Sequence, residues 1–288
     1  MKTTLQYLFR FFLLAFILVS VSCSPLIMTE NNIKDHNNVI FKRHGRDIFP
    51  TDQTKLKGWL TKPTGNGPFP AVVMLLDKEM RNAGDYQWEE KLRDWGYVTL
   101  LVDTLGSRGI ALYDHKPAHN DMHIIWELFS SRADDAFDAK NYLAGLPFVD
   151  PNKIAVIGWG LGGIALSYGV LQNKKDKFQA AVNMYGLCTQ KLIDFNTPLM
   201  ILIGEGPSKR KGNDCKNLMV PPEKNIYEVL LKVYPVGYQG FDFAGSRSVK
   251  IYYGHQEHHY EPWTLKYDQA AAEDSTIQVK KFLEKYLK

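Results

Sequence analysis

The sequence predicts an α/β fold: a single domain on a mostly parallel central sheet with helices on both faces. Three observations predict it. Short β-branched apolar runs alternate with longer stretches at helical spacing along most of the chain. One of them, Ala71–Leu76 (AVVMLL), is continuously apolar, as expected of a strand buried on both faces. Ile154–Tyr168 (IAVIGWGLGGIALSY) joins a strand-like run to a helix-like run through a burst of glycines.

Lys55–Thr61 reads as an edge strand ahead of the turn Pro63-Thr64-Gly65-Asn66-Gly67-Pro68. Ala71–Leu76 follows, then a helix at Trp88–Trp95 and a strand at Tyr97–Val102 (YVTLLV). Asp121–Leu146 carries apolar residues at helical spacing, and Pro147 with Asp150-Pro151 closes it. A strand at Ile154–Ile157 leads to a helix from about Gly163. Three more strands, Ala180–Tyr185, Pro198–Ile203 and Tyr227–Tyr234, precede a final helix at Ser275–Leu287. There is no internal repeat or low-complexity segment to suggest a second domain.

The N-terminus predicts export. Lys2 and Arg10 precede Phe11–Ser22, an uncharged run of 12 residues. A membrane-spanning helix needs about 20, whereas a signal-peptide core has this shorter length. The run ends in Val19-Ser20-Val21-Ser22-Cys23, which resembles a bacterial lipoprotein cleavage box with Cys23 as the lipidated residue; ordinary signal cleavage nearby is the alternative. Residues 1–22 are therefore expected to be a signal peptide, 23–38 a polar tether, and 39–288 the domain, held at the membrane of the cell envelope by a lipid anchor. The formal charge of +4 falls to about +2 without Lys2 and Arg10, too little to imply a nucleic-acid partner. Cys188 and Cys215 remain, an even pair suited to a disulfide in an oxidising compartment.

The glycines allow two readings. Gly158, Gly160 and Gly163 fit G-x-G-x-x-G, a dinucleotide-binding turn. Such a turn follows the first strand of its unit and has an acid about 20 residues on. Here three strands come first, and the next strand ends in Tyr185-Gly186-Leu187 without an acid. No cofactor is expected. The other reading is the strand–turn–helix elbow of G-x-S-x-G, with Gly160 in the nucleophile's place.

From about Val39 to the C-terminus the chain resembles the dienelactone hydrolase family of α/β-hydrolases. The resemblance rests on Gly67-Pro-Phe-Pro-Ala-Val-Val73, Val102-Asp-Thr-Leu-Gly-Ser-Arg-Gly109 and Pro147-Phe-Val-Asp-Pro-Asn-Lys-Ile-Ala-Val-Ile-Gly158. Gly162-Gly163, Thr197-Pro-Leu-Met-Ile-Leu-Ile-Gly-Glu205, Tyr234-Pro235, Gly240-Phe-Asp242 and Tyr267-Asp-Gln-Ala-Ala-Ala272 extend it. It implies an α/β-hydrolase fold and an ester- or lactone-cleaving ancestry. It also strengthens the Cys188–Cys215 pairing, because a subgroup of the family has a paired cysteine there.

The catalytic positions depart from the family. The elbow nucleophile is replaced by Gly160, the acid by Pro207 and the histidine by Gln239; Leu76-Asp77 stands where a His-Gly pair usually precedes the oxyanion loop. Glycine suits the strained elbow but brings no nucleophile. Glutamine donates a hydrogen bond but does not cycle a proton near neutral pH. The Leu161 N–H is left as half of an oxyanion hole. These replacements predict a non-catalytic protein that binds a small molecule or a partner, the alternative being an ester or lactone hydrolase with a rebuilt site.

Ser107, in a loop after a strand, and Ser167 are the hydroxyls considered for a rebuilt site. Asp103, Arg108, Trp159, Leu161 and Tyr238 are expected pocket residues by their place in the resemblance. Arg108 suits either a ligand carboxylate or loop carbonyls. His255, His258 and His259 with Glu257, and His115, His119 and His123, form two clusters. Neither has the H-E-x-x-H spacing, so solvated loops are expected rather than a metal site.

Overall fold

The computed structural model describes residues 36–44, 55–77, 82–110, 122–173, 175–188, 195–205, 215, 227–236, 238–245, 249–251 and 263–288. The chain divides at Lys34 into two units, and all of these residues belong to the second, Asp35–Lys288. The leader, Cys23 and Pro207 lie outside the described residues. So do His115, His119, His255, His258, His259 and the side chain of His123.

Eight strands form the main sheet: β1 (His36–Lys42), β2 (Lys55–Thr61), β3 (Phe69–Leu75), β4 (Val98–Asp103), β5 (Val149–Trp159), β6 (Ala181–Met184), β7 (Leu199–Gly204) and β8 (Val229–Tyr234). Their order is β1-β2-β4-β3-β5-β6-β7-β8. The first two pairings, β1 with β2 and β2 with β4, are antiparallel, and the rest are parallel. A small second sheet joins β9 (Tyr238–Gln239), β10 (Val249–Ile251) and β11 (Trp263–Leu265). The helices are α1 (Ala83–Asp94), α2 (Met122–Ala144), α3 (Leu161–Ala165) and α4 (Gln269–Leu287), with one π-helical turn, Leu166–Val170, directly after α3.

The period-2 alternation of β3 builds both core layers. Ala71, Val73 and Leu75 face one layer with Ala133, Ala136, Phe137 and Leu143 of α2. Val72 and Met74, with Leu76 just after the strand, face the other, with Trp88 and Leu92 of α1 and Val279, Phe282 and Leu283 of α4. This is why AVVMLL carries no polar residue: neither face of the strand meets water.

Three sequence readings change. Lys55–Thr61 is not an edge strand, because β1 pairs outside it over seven residues. His36, Asn37 and Asn38, assigned to the tether, already pair with Thr61, Leu60 and Trp59. Asn37 and Asn38 are exposed on an edge strand and give no apolar alternation to read. The last helix starts at Gln269 rather than Ser275, because the Asp268 side chain accepts from Ala271 N–H (2.9 Å) and caps it early.

Cys188 and Cys215 form a disulfide, their Cα atoms 5.1 Å apart. It ties the loop after β6 to the segment between β7 and β8, and both cysteines belong to the core layer shared with α2.

Candidate active site

The glycine burst is a strand–turn–helix elbow. β5 runs through Trp159, Gly160 makes the turn at φ 47° and ψ −111°, and α3 begins at Leu161. A side chain at that positive φ is strained, so glycine relaxes the turn. Gly160 N–H donates to Met184 O (2.9 Å), and Ile164 N–H donates to Gly160 O (3.0 Å), which fixes the turn between β6 and α3. Gly162 serves a different need: a Cβ there would lie 2.3 Å from Leu75 O, so the end of β3 passes against bare backbone.

That close approach brings the residues after β3 to the elbow. Leu161 N–H, the donor expected to face an oxyanion, donates to Asp77 Oδ1 at 2.8 Å. A Cβ built on Gly160 would lie 2.0 Å from the same oxygen and 2.5 Å from the Asp77 Cγ. The Asp77 carboxyl thus occupies the space where an elbow side chain would begin. Leu76 is buried, and its carbonyl accepts from Arg132 Nη2 of α2. Burial pulls the Arg132 guanidinium down to about 10, with Asp77 the strongest opposing influence, so it stays cationic at neutral pH.

Gln239, expected from the resemblance at the histidine position, is buried in β9 and donates from Nε2 to Tyr185 O (3.4 Å). Tyr185, just after β6, adopts φ 48°, rare for a bulky side chain, and its N–H donates to Leu202 O (2.7 Å). Asp242, only 4% exposed, accepts from Trp88 Nε1 (2.7 Å) and Trp159 Nε1 (3.3 Å). Burial pushes the Asp242 carboxyl above the usual carboxylate range against the effect of these donors, and it pushes the Tyr185 hydroxyl up as well. The network fixes the Trp159 ring, which packs 5.7 Å from that of Trp88.

Asp103, Arg108, Ser107 and Ser167 have protein partners, and the side chain of Tyr238 lies outside the described residues. Asp103, at the end of β4, accepts from Gly106 N–H (2.8 Å) and shapes the following turn; burial raises its pKa. Arg108 makes a bidentate pair with Asp135 of α2 (2.6 and 2.8 Å) and also donates to Thr104 O. Ser107 Oγ accepts from Lys57 N–H (2.9 Å). Ser167 Oγ accepts from Asn183 Nδ2 (2.9 Å) within the core. Tyr238 lies in β9, next to Gln239. The sequence reading missed Arg132, Tyr185, Asp242 and Trp88. Asp242 left one trace, an acid in the apolar run Phe241-Asp242-Phe243.

A family model described as "Dienelactone hydrolase family" matches residues 56–287. The chain belongs to the dienelactone hydrolase family. No curated protein matches it. Among solved structures, a dienelactone hydrolase-like promiscuous phosphotriesterase from metagenomic libraries matches with a TM-score of 0.63 at 18% identity, over 88% of this chain and 100% of that one. A dienelactone hydrolase from Anabaena variabilis matches with a TM-score of 0.57 at 17% identity, over 88% and 100%. Thermogutta terrifontis esterase 2 matches with a TM-score of 0.57 at 14% identity, over 88% and 94%. At identities this low, the structural likeness shows the shared α/β-hydrolase fold and nothing further.

Proposed function

We propose that this family member is a non-catalytic binding protein of the cell envelope, exported and lipid-anchored through Cys23. The observation that carries the reading is at the elbow: position 160 has no side chain, and Asp77 fills the space in front of it. Gln239 supports the same reading, because it holds a backbone carbonyl and has no proton to cycle near neutral pH. Losing a triad costs about 10⁶ in turnover, and losing an oxyanion donor costs about 10²–10³ more. Of the two hydroxyls considered for a rebuilt site, Ser107 and Ser167, both are buried and engaged with nitrogen donors.

The test is hydrolysis of short-chain p-nitrophenyl esters and of a dienelactone by the purified protein, beside a Ser107→Ala variant. Rates equal to buffer are expected for both proteins. A saturable rate well above buffer, reproduced across preparations, would overturn the proposal; its loss in Ser107→Ala would name the nucleophile.

A further inference from the structure

We infer that the elbow is a small-carboxylate site whose resident ligand is the protein's own Asp77, an inference that rests on the non-catalytic reading above. Two independent features support it. The first is the donor: Leu161 N–H holds Asp77 Oδ1 at 2.8 Å, and the carboxyl stands where a residue-160 side chain would begin. The second is Arg132. It is fully buried, and Nη2 donates to the carbonyl of Leu76, the residue next to Asp77. Its Nε and Nη1 have no hydrogen-bond partner among the described residues.

A buried guanidinium with idle donors is costly unless an anion lies close by. Asp77 is the strongest of the acids that favour the Arg132 charge, ahead of Asp135, and Leu161 N–H is bonded to that same Asp77 carboxylate. The native elbow therefore refuses external carboxylates and oxyanions, because the position is filled and the resident charge repels them. A ligand of the native site is neutral or donates hydrogen bonds to this carboxylate. Without the Asp77 side chain, the same place admits a molecule the size of acetate.

The experiment compares the intact wild-type protein, Asp77→Gly and Asp77→Asn by amide NMR and thermal melting. Each is titrated with sodium acetate against sodium chloride at equal ionic strength. In Asp77→Gly the Leu161 amide resonance should move saturably with acetate, and the melting temperature should rise with it. Wild type and Asp77→Asn should respond to acetate as they do to chloride. A folded Asp77→Gly protein indifferent to acetate overturns the inference, and so does a wild type that responds equally. Should Asp77→Gly stay unfolded in both salts, the wild-type Leu161 amide decides: slow hydrogen exchange supports the bond to Asp77, and exchange as fast as an exposed amide overturns it. Ester hydrolysis would sink the non-catalytic reading and leave these readouts unchanged.

Discussion

Gly160 and Asp77 share one small volume, so a change at either is felt at the other. Gly160→Ala puts a Cβ 2.0 Å from Asp77 Oδ1, on a backbone that disfavours any side chain. Strain and overpacking of this kind cost about 1–3 kcal/mol each, and urea denaturation should show a loss in that range. Asp77→Gly removes the clash, so the double variant should lose less than the sum of the single variants. Asp242 gives a second prediction at this scale. Its pKa is raised by folding, so the stability it contributes is complete below the ordinary carboxylate pKa of about 4 and is lost as pH rises through the folded value. Denaturation at a series of pH values should show wild type losing stability relative to Asp242→Asn as pH rises from about 4 to neutral. A constant difference would mean that Asp242 titrates alike in the folded and unfolded chains.

Among the elements, α2 does most to organise the buried charge. Asp135 holds Arg108 in two hydrogen bonds and lies 3.3 Å from Arg43 Nε, while Arg132, one turn earlier, holds Leu76 O. Asp135→Ala strands Arg108 in the core and should cost about 3–5 kcal/mol, read as a lower denaturation midpoint. Nothing in the spacing of Asp121–Leu146 distinguishes these charged residues from a solvated helix face. Their partners lie after β1, β3 and β4, brought near only by the sheet. The elements themselves were legible for the opposite reason: AVVMLL and the glycine burst each record a local requirement, burial on two faces and a bare backbone crossing. Trp88 and Asp242 are 154 residues apart, and no periodic signal links them. Asp77 was read as a lost catalytic position, and only the fold shows its carboxyl at the elbow.

For the whole molecule, the order of strands and helices in the sequence was enough to reach the fold class. The outer edge of the sheet was misread, because the polar start of β1 gives no pattern to detect. The N-terminal reading makes its own prediction. Cells expressing the protein with a radiolabelled fatty acid should incorporate label, and Cys23→Ala should abolish it. Unlabelled wild-type protein recovered from the soluble fraction would refute the anchor and leave ordinary signal cleavage as the route of export.

The 2.0 Å overlap between a residue-160 side chain and Asp77 also constrains which pairs of residues these two positions accept. An elbow that carries a side chain has no room for an aspartate in this pose, so the two features exclude each other. A side chain placed at position 160 alone meets a steric penalty for as long as Asp77 keeps this pose. The contact therefore works as an interlock: a side chain can enter position 160 without this clash only after, or together with, a change at Asp77.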